Sequence, residues 1–183
     1  MRIICGRHKG KRIRTPKNSG VRPTTDRAKE ALFNILENRF VFGDISALDL
    51  FSGTGNISYE LASRGAADIT GVDNNRYCRN FIKKTAAELG FPICVRCEDA
   101  LRFLEETNRG FDFIYADPPY TLCEADYSKI HRLAFDRKIL KTDGLLVFEH
   151  ARRQNFEGLK GFLERRKYGS VHLSFFSHGE QSQ

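Results

Sequence analysis

Short apolar runs and amphipathic segments take turns along most of the chain. Residues 45–50, 68–72, 92–97, 111–115 and 145–148 are apolar-centred runs of strand length. Between them, residues 56–64 and 76–89 read as helices that stop at Gly65 and Gly90. Residues 100–106 predict another helix, and a further helical stretch falls within 125–140. Buried strands interleaved with helices predict an α/β fold with a mostly parallel sheet and right-handed crossovers. The C-terminal end departs from this rhythm. Only Lys167-Tyr168-Gly169-Ser170 separates apolar-rich segments 162–166 and 171–176, room for a hairpin and not for a helix. The last two strands should therefore pair antiparallel.

The first forty residues follow another pattern. Segments 2–5 and 11–14 flank His8-Lys9-Gly10 and predict a small two-stranded β-ribbon. Thr25 and Asp26 can cap a helix carrying Ala28, Ala31, Leu32, Ile35 and Leu36 at helical spacing, with Gly43-Asp44 as its stop. Charge sharpens the division. Residues 1–40 hold eleven basic and three acidic side chains, a net +8, whereas the other 143 residues sum to −1. This predicts a basic ribbon and helix over 1–40, packed on a main domain over 41–183. A polyanionic partner and a merely solvated basic arm both account for that charge.

The 183 residues are 40% hydrophobic and 29% charged, a globular balance for a single domain with at most a small appendage. No apolar run approaches membrane-span length, and Met1-Arg2-Ile3-Ile4-Cys5-Gly6 has no signal-like apolar stretch, so a membrane or secreted protein is not expected. Five cysteines, an odd number, point to reduced thiols. Cys94 and Cys97 have zinc-like spacing, but on a strand such positions face opposite sides, and no metal site is expected.

Candidate chemistry gathers where strands end. The first runs into Asp49-Leu50-Phe51-Ser52-Gly53-Thr54-Gly55-Asn56, whose two glycines permit a tight turn and close approach of a ligand. Ser58 stands where a dinucleotide fingerprint would place its third glycine, so NAD is poorly supported. Asp73, closing the second strand before Asn74, lies where a carboxylate meets ribose hydroxyls. Asp99-Ala100 follows the third strand; Asp99 can accept from an adenine amino group or cap the next helix. Asp117-Pro118-Pro119-Tyr120 follows the fourth. Two prolines fix the backbone there, so that the Asp117 carboxylate and the Pro118 carbonyl can grip an exocyclic NH2 while Tyr120 stacks on the base.

On these residues, 45–150 resembles the class I S-adenosylmethionine-dependent methyltransferase domain, a Rossmann-like fold whose sheet carries a reversed strand in a terminal hairpin. Asp49–Gly55 matches its cofactor loop and Asp117–Tyr120 its amino-methylating motif. The N-terminal block narrows the resemblance. Gly6-Arg7-His8-Lys9-Gly10-Lys11, then Val21-Arg22-Pro23-Thr24-Thr25-Asp26-Arg27-Ala28-Lys29-Glu30-Ala31-Leu32-Phe33-Asn34, with Ser63-Arg64-Gly65-Ala66 further on, is similar to the bacterial RsmD family. Ser52, Thr54 and Asn56-Ile57-Ser58 differ from that family's usual loop.

The resemblance implies methyl transfer from S-adenosylmethionine to N2 of a guanine in 16S ribosomal RNA, at a guanine-966-type position of the small subunit. It implies a cytoplasmic enzyme, expected as a monomer acting on assembling or assembled subunits. It assigns Asp49, Phe51, Gly53, Gly55, Asp73, Asn74, Asp99 and Ala100 to the cofactor, and Asp117, Pro118, Pro119 and Tyr120 to the chemical step. Arg7, Lys9, Lys11, Arg12 and Arg14 are expected on RNA phosphates, with Arg22, Thr24 and Arg27 nearer the target base. A DNA adenine-N6 methyltransferase shares the two motifs, but this chain has no evident insertion to read duplex sequence. An idle RNA-binding protein would leave Asp117–Tyr120 unexplained. The histidines form no metal-like pair, and Glu149-His150 reads as structural.

Overall fold

A computed structural model of the chain describes residues 1–15, 25–119 and 121–179. Strands β1 (Ser46–Leu50), β2 (Asp68–Val72), β3 (Ile93–Arg96), β4 (Phe111–Ala116), β5 (Leu140–His150), β6 (Phe162–Tyr168) and β7 (Val171–Phe176) form one sheet in the order β3-β2-β1-β4-β5-β7-β6. The pairs from β3 across to β5 are parallel, and β7 pairs antiparallel with both β5 and β6. The terminal hairpin is as expected, and it places its reversed strand inside the sheet rather than at the edge.

Helices α1 (Asp26–Glu37), α2 (Asn56–Ser63), α3 (Arg76–Leu89), α4 (Ala100–Glu106) and α5 (Glu124–Asp136) cover both faces. Alternation along β4 sorts the core. Phe113 and Tyr115 join Leu32, Phe33, Leu61 and Ile82 on one side, while Ile114 and Ala116 join Leu104, Tyr127 and Ile130 on the other. Local chemistry sets the helix starts: Thr25 Oγ1 accepts from Ala28 N at 3.2 Å, and Asn75 Oδ1 from Tyr77 N at 2.9 Å. No helix among the described residues is long and apolar enough to cross a membrane.

Three boundaries differ from the sequence reading. Helix α1 stops at Glu37, well before Gly43-Asp44, because the chain must swing Phe42 inward against Phe33, with ring centroids 6.0 Å apart. Strand β5 starts at Leu140 instead of 145; exposed Lys141-Thr142-Asp143 interrupt its apolar run, and the β4–β5 register shifts there. The N-terminal ribbon is reduced to one antiparallel bridge, Arg2 to Arg12, supported by the Ile3 N–Lys11 O and Gly10 N–Ile3 O bonds at 3.0 and 2.9 Å.

What holds this ribbon down is a buried polar cluster on α2. The fully buried Glu60 carboxylate accepts from Ile4 N at 2.8 Å, Cys5 N at 2.9 Å and Arg64 Nε at 2.9 Å. Lys29 of α1, itself 1% exposed, sets its Nζ 3.5 Å from Glu60 Oε2, 2.6 Å from Arg2 O and 2.9 Å from Asn56 Oδ1. Burial pulls the Lys29 ammonium below its usual range, against the opposing pull of Glu60. Gly6 completes the joint: a Cβ there would fall 1.9 Å from Ser63 O, so only glycine permits the contact.

Candidate active site

Four parallel strands end level with one another. Leu50 is in register with Val72 and Ala116, and Val72 with Arg96. The residues that follow, Phe51, Asp73, Cys97 and Asp117, therefore leave the same edge of the sheet. At about 4.8 Å between neighbouring strands, Asp73 and Asp117 emerge roughly 10 Å apart on either side of the loop after β1. The chain passes from β1 outward to β2 and β3 and returns to β4 on the other flank, which makes the β1–β4 boundary the topological switch point. Backbone bonds carry the ladder beyond the strands: Ser52 N to Val72 O at 3.0 Å, Asp73 N to Arg96 O at 3.2 Å and Asp117 N to Leu50 O at 3.4 Å.

The loop after β1 turns through positive φ at Phe51 (57°), Gly53 (51°) and Gly55 (84°). Left-handed geometry at a bulky Phe costs on the order of 1–2 kcal/mol, strain of the kind that collects at functional sites. A Cβ on Gly55 would meet Tyr59 Cζ at 2.9 Å, so the loop can pass over α2 only as glycine. Asp73 fixes the loop from the side: Oδ2 accepts from Gly53 N and Oδ1 from Asn75 N, each at 2.8 Å. Beneath it, Asp49 is buried and takes both the backbone N–H and the hydroxyl of Ser58, at 3.1 and 2.5 Å. Burial raises the Asp49 carboxyl to about 7 even though the Ser58 bonds favour the charged form. Ser52 Oγ is buried in the same loop without a hydrogen-bond partner among the described residues.

These groups fit S-adenosylmethionine. Asp49, buried beneath the loop, and Asp73, half-buried at its side, are acceptors of the kind an ammonium and a ribose diol call for. The orphaned Ser52 hydroxyl is a further polar atom aligned with the loop. Asp99 is committed as a helix cap, accepting from Leu101 N at 2.9 Å and Arg102 N at 3.0 Å. Both bonds run to Oδ1, so Oδ2 takes no part in the cap. Asn74 is exposed and Ala100 buried.

Across the switch point, Asp117 is half-buried, Pro118 buried and Pro119 exposed. Pro119 O accepts from Leu122 N at 2.9 Å, and Cys123 N donates to Asp126 Oδ2 at 2.9 Å as α5 begins. The segment is thus tied at both ends to regular structure, with the proline pair between. Tyr120 lies outside the described residues.

The expected RNA-contacting residues separate by position. Arg27 is exposed in the first turn of α1, two residues before Lys29, and so points away from the side on which Lys29 meets Asn56 at the end of the cofactor loop. Arg7 does not reach that side. Its guanidinium donates to Gly90 O at 2.7 Å and lies over the Phe91 ring at 5.2 Å, at the opposite end of α3. Lys9, Lys11, Arg12 and Arg14 are exposed, while Arg22 and Thr24 lie outside the described residues. Sequence reasoning missed Ser58, Lys29 and Glu60. The signal for Ser58 was its place as a polar residue at the third-glycine position; for Glu60, it was a carboxylate amid the apolar positions of α2.

The family model described as Conserved hypothetical protein 95 matches residues 1–177. Ribosomal RNA small subunit methyltransferase D of Escherichia coli (strain K12) is 35% identical over 121 residues, 66% of this chain and 60% of that protein. The match thus spans less than two thirds of that relative. The protein of the same name from Haemophilus influenzae (strain ATCC 51907 / DSM 11121 / KW20 / Rd) is 30% identical over 150 residues, 74% of this chain and 77% of its own. Among solved structures, a hypothetical protein of Thermus thermophilus superposes with a TM-score of 0.84 at 25% identity, covering 97% of this chain and 99% of that one.

Proposed function

The chain belongs to the RsmD family, the family of the Conserved hypothetical protein 95 model, and on that footing we propose that it transfers a methyl group from S-adenosylmethionine to the exocyclic N2 of a guanine in 16S ribosomal RNA. The observation that carries this reading is the placement of Asp117-Pro118 directly across the β1–β4 switch from the Asp49–Gly55 loop and Asp73. The family relatives named as small-subunit methyltransferases and the exposed basic residues of the ribbon supply the RNA part of the reading. A guanine-966-type position is the target the family membership favours.

When bound, S-adenosylmethionine supplies an electrophilic methyl carbon on a sulfonium centre. Asp49 meets its ammonium group, and Asp73 accepts from the ribose hydroxyls with the lone pairs that Gly53 and Asn75 leave. A guanine amino group is conjugated with its ring, so its lone pair is a poor nucleophile. The target base leaves its stack to reach the strand ends. The Asp117 carboxylate and the Pro118 carbonyl accept the two amino hydrogens and draw the nitrogen toward a tetrahedral shape, its lone pair aimed across the crevice. Tyr120 stacks on the ring. The proton released on transfer passes to Asp117 or to water. Much of the acceleration on this reading is positioning.

The test is transfer of labelled methyl groups to assembled small ribosomal subunits, to naked 16S rRNA and to duplex DNA. Label in guanine of the ribosomal substrates is the expected result. Label in DNA adenine, or in none of the three, would overturn the reading.

A further inference from the structure

A cleft of about 670 Å³ runs between the second limb of the ribbon and one face of α3. Its ribbon wall carries Lys11, Arg12 and Arg14; its helix wall carries Tyr77, Phe81 and Lys84, three or four residues apart and so along a single stripe. Tyr77 is 49% exposed, one of two large hydrophobic side chains so exposed among the described residues. The one acidic residue in the lining, Glu88, sits 4.0 Å from Lys84, so the cleft keeps a cationic excess on the ribbon side.

Direction matters as much as charge. Helix α3 begins three residues after Asp73, at the edge where the strands end, and runs back to Gly90. From Leu89 to Tyr77 the groove covers about 18 Å of helix. Its Tyr77 end is the end of α3 nearer Asp73 in the chain. Cations along one wall and an aromatic ring at the end nearest the site are what a single nucleic-acid strand needs, phosphates on the first and a stacked base on the second. The cationic excess along the ribbon wall favours a polyanion over a neutral or basic peptide, and the apolar ring of Tyr77 suits a base.

We propose that this groove holds a single-stranded segment of the RNA substrate flanking the target nucleotide, with Arg12, Arg14 and Lys84 on phosphates and Tyr77 stacked against a base. The inference rests on the RNA reading above and adds a surface to it: the α3 stripe belongs to the RNA interface together with the ribbon.

Tyr77→Ala and Lys84→Glu test it, because both residues are exposed and lie outside the buried core. The probe is a fluorescein-labelled, unstructured RNA oligonucleotide, with anisotropy read over a salt series, alongside calorimetry with S-adenosylmethionine and methyl transfer to small subunits. Tyr77→Ala should weaken RNA binding about tenfold, the scale of losing one base stack. Lys84→Glu should flatten the log–log salt slope by about 0.7 or more, one phosphate contact. Cofactor affinity should stay as in the unaltered protein. Unchanged RNA affinity and salt slope in both variants would overturn the groove, as would a Tyr77→Ala protein that loses cofactor affinity instead. Failure of the unaltered protein to methylate rRNA would count against the function, while the anisotropy series would still report on the groove.

Discussion

Replacing Glu60 with Gln should be among the most damaging single-atom changes in this protein. The side chain is fully buried and its two oxygens answer Ile4 N, Cys5 N, Arg64 Nε and the Lys29 ammonium. An amide keeps the shape but holds one acceptor oxygen and turns an NH2 toward groups that are all donors. It also strands the 1%-exposed Lys29 without its carboxylate. Breaking a buried pair by removing one partner costs about 3–5 kcal/mol. For a chain of this size, each kcal/mol moves the melting temperature by about 2–4 °C, so a fall of roughly 6–20 °C is expected. Urea unfolding followed by circular dichroism gives the free energy, and calorimetry the midpoint. A Lys29→Met/Glu60→Gln double variant should lose less than the sum of the two single losses, by about 1–3 kcal/mol, since the stranded ammonium is gone. A Glu60→Gln protein within about 1 kcal/mol of the parent, or strictly additive single losses, would refute the idea that this cluster clamps the ribbon to α2.

Asp73→Ala should weaken S-adenosylmethionine binding by about 1–3 kcal/mol, since it removes the ribose acceptor and the anchor of Gly53 N together; unchanged affinity by calorimetry in a folded variant would sink the assignment. The Asp49 carboxyl, raised by burial from 3.8 to about 7, should make cofactor affinity climb as pH rises through 7 and then level, a slope that Asp49→Asn abolishes. The cofactor-free protein should behave oppositely in stability: its folded Asp49 value lies above the unfolded one, so that contribution is full below 3.8 and is lost as pH rises through about 7. Charge reversal at exposed Lys9 should lower the salt slope of RNA binding by about 0.7–0.9 if it contacts a phosphate. This is a cleaner test than deleting the ribbon, which would remove the buried Ile3 from the core and take two backbone donors from Glu60.

The parts of this protein that announce themselves in sequence are those whose environment is set by near neighbours. Strands β1, β2 and β4 are apolar because both faces of the sheet are covered, and each gives way at its C-terminal edge to a half-buried residue: Phe51, Asp73, Asp117. The candidate site follows, because strand ends in such a sheet face one crevice. Asp99 shows the limit of that logic, since capping α4 and facing a ligand require the same residue at the same place. Lys29 was hidden for a different reason. It is one of eleven basic residues in the first forty, and nothing nearby distinguishes it from the solvated ones; its partners, Glu60 and Asn56, arrive only when α1 packs on α2. Arg7 errs the other way, a cation that looks free for phosphate and spends its guanidinium on Gly90 O. Lys141-Thr142-Asp143 hides the start of β5 because three polar residues interrupt its apolar run, yet Leu140 and Leu145 both pair with β4.

On the proposed function, Asp117 acts on the amino group of a guanine and not on the cofactor. The most direct measurement is nucleoside mass spectrometry of small-subunit rRNA after single-turnover reaction with the parent and Asp117→Ala proteins, each first shown by calorimetry to bind S-adenosylmethionine. The account predicts N2-methylguanosine from the parent and a rate lower by several orders of magnitude from the variant, about 4 kcal/mol or more at the transition state, with cofactor affinity nearly unchanged. A variant that forms the same nucleoside at a comparable rate, or one that fails only because it no longer binds the cofactor, would contradict it.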